Sequence, residues 1–121
     1  MKLITADIRK KLLANGAAAD AAIQLDGNTP DAVPVLKLFV PWGAATWLIT
    51  EMHPGDPDIM FGLCDLGHGC PELGSVSLTE IESIRGPAGL TIERDMYFTG
   101  KAPISVYADA ARAAGHIVEV S

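Results

Sequence analysis

Cys64, His68 and Cys70 fall within one seven-residue stretch, and His53 is a loop away. Zinc is held by tetrahedral sets of such residues. The C-x3-H-x-C spacing, however, departs from the finger and ribbon patterns. Cys64 also falls within an apolar alternation, where a buried and inert thiol is common. We expect no metal and no cofactor, and keep Cys64, His68 and Cys70 as the residues that would hold one. A second set is acidic. Glu51, Asp56 and Asp58 flank one Pro/Gly-rich stretch and would suit Ca²⁺ or Mg²⁺ if they converged; otherwise they form a solvated turn. Glu51 and Asp65 do not suggest a catalytic dyad. In a hairpin around residues 53–58 they would stand on the order of 20 Å apart, against roughly 5–10 Å in glycosidases.

Other signatures of catalysis are missing. Gly-x-Ser-x-Gly, the Walker loop and the dinucleotide fingerprint do not occur, and no catalytic residue is assigned. Candidate binding residues are Trp42, Glu51, Asp56, Asp58, Asp65 and Glu72. Trp42 sits at a turn tip between Pro41 and Gly43. It is either an exposed anchor for a partner or a lid folded back on the sheet edge. Trp47, mid-strand, is expected in the core. Glu72, in Pro-Glu-Leu-Gly, is either a partner contact or an acceptor that fixes its loop.

These residues belong to a chain of 121, with 49% hydrophobic and 20% charged residues, enough for one domain with its own core. No apolar run approaches the roughly 18 residues of a membrane helix. The first residues lack the apolar stretch of a secretory signal, so the expected location is cytoplasmic. Two cysteines do not make a disulfide framework. The net charge is −6, which disfavours nucleic acid as a partner. No Lys or Arg occurs between Lys37 and Arg85, an interval holding Glu51, Asp56, Asp58, Asp65, Glu72, Glu80 and Glu82. Such a segment attracts a basic protein surface or a hard cation.

The elements that must position these groups are legible from periodicity. Thr5 is a candidate N-cap for a helix carrying Ile8, Leu12 and Leu13, with Gly16 as its C-terminal stop. Residues 17–25 are either a second short helix or a loop, and residues 26–30 are a turn. Strands are expected at 35–40, 44–52, 58–66, 74–78 and 90–93. Strict alternation places Glu51 on the face of Ala45, Trp47 and Ile49. Residues 53–57 form a loop because Pro54 and Pro57 cannot donate to a ladder. Ser77-Leu78-Thr79-Glu80 fits a capping box. Pro103 opens a final helix with Ile104, Tyr107, Ala108 and Ala111 on its buried stripe, and Gly115 ends it. The tail at 116–120 either packs or adds an edge strand. The connections between central strands are too short for parallel crossovers. The expected fold is α+β: an antiparallel meander of four to five strands with N- and C-terminal helices packed on it, on one face.

Four segments carry a family resemblance. Residues 43–51 (GAATWLITE), 56–67 (DPDIMFGLCDLG) and 71–78 (PELGSVSL) resemble the bacterial family called domain of unknown function 2958, as does ERDMYF at 93–98. The resemblance implies small proteins frequent on plasmids and phages, near genes of DNA metabolism, with no assigned activity or catalytic residues. We therefore expect a non-enzymatic accessory module that presents an acidic face to a basic protein. The alternative is a small metal-dependent enzyme using the acidic or Cys/His loop. A third reading is a nucleic-acid binder using Arg9, Lys10, Lys11 and Lys37. Oligomeric state is open.

Overall fold

The structure is a computed structural model that describes residues 3–121. Its elements are helix α1 (Ala6–Asp26), strands β1 (Leu36–Phe39), β2 (Thr46–His53), β3 (Asp56–Asp65) and β4 (Glu72–Ser77), helix α2 (Leu78–Ser83), strand β5 (Glu93–Arg94) and helix α3 (Ile104–Ala114). The five strands form one antiparallel sheet in the order β4-β3-β2-β1-β5. The expected meander accounts for β1 to β4. The chain then returns through α2 to place β5 against the far side of β1. The fold is α+β, as the strand run and terminal helices imply.

Local capping follows the residue types. Thr5 Oγ1 accepts from Ile8 N–H at 3.2 Å, and Ser77 Oγ accepts from Glu80 N–H at 3.2 Å. Gly115 closes α3 in the left-handed conformation, φ 81°. Gly16, by contrast, does not stop α1. The helix runs on to Asp26 and ends at Gly27, so residues 17–25 belong to the first helix. The reason is tertiary. α1 crosses β2 at Gly16, where a Cβ would overlap the Met52 carbonyl oxygen. Gly16 is there for close approach, and Asn15 Nδ2 secures the crossing by donating to Thr50 O at 2.9 Å.

The helices cover both faces, not one. Alternation explains this: Leu36, Leu38, Trp47 and Ile49 point to the side covered by α1 and α2, with Leu12, Ile81 and Met60. Leu48 and Leu63 point to the other side and pack under Ile104, Tyr107, Ala108 and Ala111 of α3. All four positions of the expected α3 stripe are buried. Trp47 lies in the first cluster, 5% exposed. The tail adds no strand; Ile117 and Val120 pack against the α3 cluster.

Two local departures matter for the site. The link between β2 and β3 is only the turn at Pro54-Gly55; His53 pairs Asp56, and Pro57 lies in β3 at a register shift where no donor is required. The second shift lies between Ile49 and Glu51. Ile49 is opposite Gly62, but Glu51 is opposite Phe61, so Thr50 is an extra residue.

Candidate functional site

The bulge at Thr50 decides where Glu51 goes. Gly62 and Phe61 are sequential in β3 and so face opposite sides. Their partners Ile49 and Glu51 must do the same. Glu51 therefore leaves the Trp47 face, where strict alternation placed it, and joins Leu48, Phe61 and Leu63 on the α3 side. Gly62 is the one residue that could have signalled this. A glycine inside a strand marks a bulge or close backbone approach. Here a Cβ at Gly62 would overlap the Leu48 carbonyl oxygen.

α3 covers only part of that face. Beyond its first turn the sheet floor is open, and a cleft of about 470 Å³ forms. The second half of α1 makes one wall with Ala19, Asp20 and Ile23, and β2, β3 and β4 supply the floor. The 29–32 loop makes the opposite side together with Ile104 and Ser105. This loop is held by long-range bonds. Pro103 has no side-chain acceptor to cap α3, and Asp31 supplies one from far away in sequence. The Asp31 carboxylate accepts from Ser105 N–H at 3.0 Å and from the Ser105 hydroxyl. Ala32 O accepts from Ile104 N–H at 2.8 Å.

The cleft is acidic and apolar at once. Asp20, Asp31 and Glu51 line it with His53, and none of its lining residues is Lys or Arg. Partial burial holds the Glu51 carboxyl above the usual glutamate range. The Thr50 hydroxyl, 3.2 Å from Oε1, works against this. The negative charge of Asp20 adds to the upward shift, and His53 offsets part of it. Phe61 and Leu73 on the floor remain 36% and 39% exposed. A concave, mostly apolar site with a few convergent polar groups and a perturbed carboxyl is a usual form of ligand site.

The other sequence candidates scatter. Asp58 is an acceptor for α2: Oδ2 takes the Ser77 hydroxyl at 2.6 Å, and Oδ1 takes Thr79 N–H at 2.8 Å and its hydroxyl at 2.6 Å. These bonds, Ser77 first, hold its carboxyl below the usual aspartate range. Asp65 is 2% exposed and accepts from Gly67 N–H at 2.9 Å and Ile117 N–H at 3.0 Å, tying the tail to the end of β3. It stands four residues beyond Phe61, the partner of Glu51. That is roughly 13 Å along the strand, closer than the hairpin estimate from sequence but still beyond a dyad. Asp56 and Glu72 are exposed, at the β2–β3 turn and at the start of β4. Trp42 is folded inward: it packs on the α1-side core, and its indole lies against Gly86.

The Cys/His stretch does not gather. Cys64 pairs with Trp47 on the α1 side, and burial raises its thiol pKa; His68 and Cys70 are exposed in the β3–β4 connection. Among the described residues, no three His, Cys, Asp or Glu side chains come close enough to share a metal. Of the basic residues, Lys37 pairs with Asp95 at 3.9 Å, and Lys11 borders the same shallow depression beside Asp7 and Arg94. No helix among the described residues is long and apolar enough to cross a membrane.

Sequence alone named Glu51 but missed Asp20 and Asp31, because α1 and the 29–32 loop reach the cleft only through tertiary contacts, and Phe61 and Leu73, because only the partial cover by α3 leaves that part of the sheet face open. No curated protein and no solved structure matches the chain. A family model does, over residues 3–118: this chain belongs to the family described as Protein of unknown function (DUF2958).

Proposed function

We propose that this chain is a protein-binding module whose cleft seats a cationic side chain from a basic partner. The observation that carries the reading is the lining: three acidic residues, one histidine and no Lys or Arg over an apolar floor. Asp31 is committed to α3, which leaves Asp20 and Glu51 to face a ligand. Glu51 is partly desolvated beside a like charge, an arrangement that a cation would relieve. Ile23, Ile59, Phe61 and Leu73 suit the aliphatic stem of Lys or Arg, and the Phe61 ring suits its charged head. Asp56 and Glu72 would add attraction at longer range. Given the mobile-DNA setting implied by the family resemblance, the natural partner class is a basic, nucleic-acid-handling protein.

The test is a titration with N-acetyl-arginine amide followed by NMR. A ligand of about 15 heavy atoms, at about 0.3 kcal/mol per atom, binds near the millimolar range. Shifts are expected at Glu51, Ile59 and Phe61, weaker in Glu51→Gln and absent with the citrulline analogue. Equal shifts with citrulline, or shifts only outside the cleft, would refute the reading.

A further inference from the structure

The floor of the cleft runs out to an open sheet edge. β4 is an outer strand, and no other segment among the described residues hydrogen-bonds to the backbone of its free side. Its six residues pair with β3 without a break in register, from Glu72 opposite Cys64 to Val76 opposite Met60 and Ser77 opposite Ile59. Proteins usually blunt such an edge with Lys, Pro or a bulge. β4 has none of the three: its sequence is ELGSVS, and its one charge is the acid Glu72 at its first residue. β5, at the opposite edge, is only two residues long. The undefended edge is therefore the one that borders the cleft.

Register links edge and cleft residue by residue. Glu51 is opposite Phe61, and Phe61 is opposite Ser75. These three make one row on the cleft side of the sheet, running from the acid across an aromatic ring to a small residue at the edge. A strand added outside β4 would place one side chain in the same row. Strands lie about 4.8 Å apart, so its backbone would stand about 14 Å from β2. An extended arginine spans about 7 Å and a glutamate about 4 Å from their Cα atoms, leaving about 3 Å, a charge-assisted hydrogen bond. Ser75 is small enough to be crossed, and Phe61 is exposed along the path.

We propose that β4 captures an extended basic segment of the partner by strand addition, with an Arg or Lys in register with Ser75 laid across Phe61 to Glu51. This rests on the cleft reading above and adds how the segment is held: main-chain bonds give affinity, and the row gives selectivity for a cation. The occupant follows from charge complementarity. Glu72 on the edge and Glu51 and Asp20 beyond it favour a basic strand, and no Lys or Arg lines the cleft to oppose it.

The probe is acetyl-Thr-Val-Arg-Val-Thr-amide, measured by calorimetry against the intact chain. It should bind at least tenfold more tightly than N-acetyl-arginine amide and slow hydrogen exchange of amides within 72–77. N-methylation of the peptide backbone on the side facing β4 should remove that tenfold gain. Ser75→Lys, at an exposed position, should abolish peptide binding while the chain keeps its Tm. A peptide no tighter than the single amino-acid amide, or one indifferent to N-methylation, would overturn strand addition while arginine binding left the cleft reading standing. Failure of both probes would remove both. A concentration-dependent dimer that Ser75→Lys dissociates would assign the edge to a second copy and overturn the proposal.

Discussion

Gly16→Ala provides a test in which two physical effects oppose each other. In an exposed helix interior the change stabilises by about 1 kcal/mol, because glycine is the more flexible residue when unfolded. Gly16 is buried where α1 crosses β2. The added methyl would overlap the Met52 carbonyl oxygen, and the Met52 carbonyl carbon and Pro54 Cδ, 3.0 and 3.1 Å away, restrict the other directions. Neither neighbour is a flexible side-chain end, so helix and strand must separate. Forced separation in a packed interior costs about 1–3 kcal/mol. It also loosens Leu12 and Ala19, which are buried on the same helix, and the Asn15 bond to Thr50. Overpacking plus loosened contacts outweigh propensity, and a net loss of about 2 kcal/mol is expected. At about 4 °C per kcal/mol for a chain of this size, the Tm should fall by roughly 8 °C. Thermal unfolding followed by circular dichroism measures it, with Ala17→Gly, at an exposed position of the same helix, as the propensity control. A Tm raised by Gly16→Ala would refute the crossing argument and the account of why α1 passes through this glycine.

Four further outcomes follow from the same geometry. Asp65→Ala removes the buried carboxylate that accepts from the Gly67 and Ile117 amides through part-buried bonds, and should cost about 1.5–3 kcal/mol by urea unfolding, with faster exchange at Ile117; a loss below 1 kcal/mol, on the order of one ordinary hydrogen bond, would contradict the role given to the tail. Asp58 has a folded carboxyl held below its ordinary value of 3.8, so its contribution is complete above that pH and fades as pH falls through the lower folded value. Asp58→Ala should therefore lower the Tm at pH 7 and flatten the acid limb of stability against pH; parallel acid limbs would argue otherwise. Glu51 is shifted the other way: the folded chain holds its proton to higher pH, so ionisation costs stability above the ordinary value of 4.5. Glu51→Gln should raise the Tm at pH 7 with a gain that shrinks as pH falls to 4, and a pH-independent difference would contradict this. Cys70, exposed, should be alkylated before Cys64, whose thiol is part-buried and harder to ionise, with mass spectrometry reading the order; equal rates would show that Cys64 is more accessible than its packing indicates.

What the sequence determined by itself is local. Strand alternation, the caps at Thr5 and Ser77 and the end of α3 at Gly115 depend on neighbours within about four residues, and such interactions act wherever the segment sits. The sheet class followed because short connections permit only antiparallel pairing. What the tertiary structure decided involves partners dozens of residues apart. Gly16 reads as a helix stop until Met52 is placed beneath it, and Glu51 reads as a residue of the Trp47 face until the extra Thr50 turns it over. Asp58 and Asp65 read as candidate binding acids, and Asp31 carries no signal of its own, until Thr79, Ile117 and Ser105 present amides to them. A carboxylate takes whichever donors the fold brings within about 3 Å. The sequence could therefore state how many acids this chain carries, while only the packed chain could separate those that hold it together from those left facing a ligand.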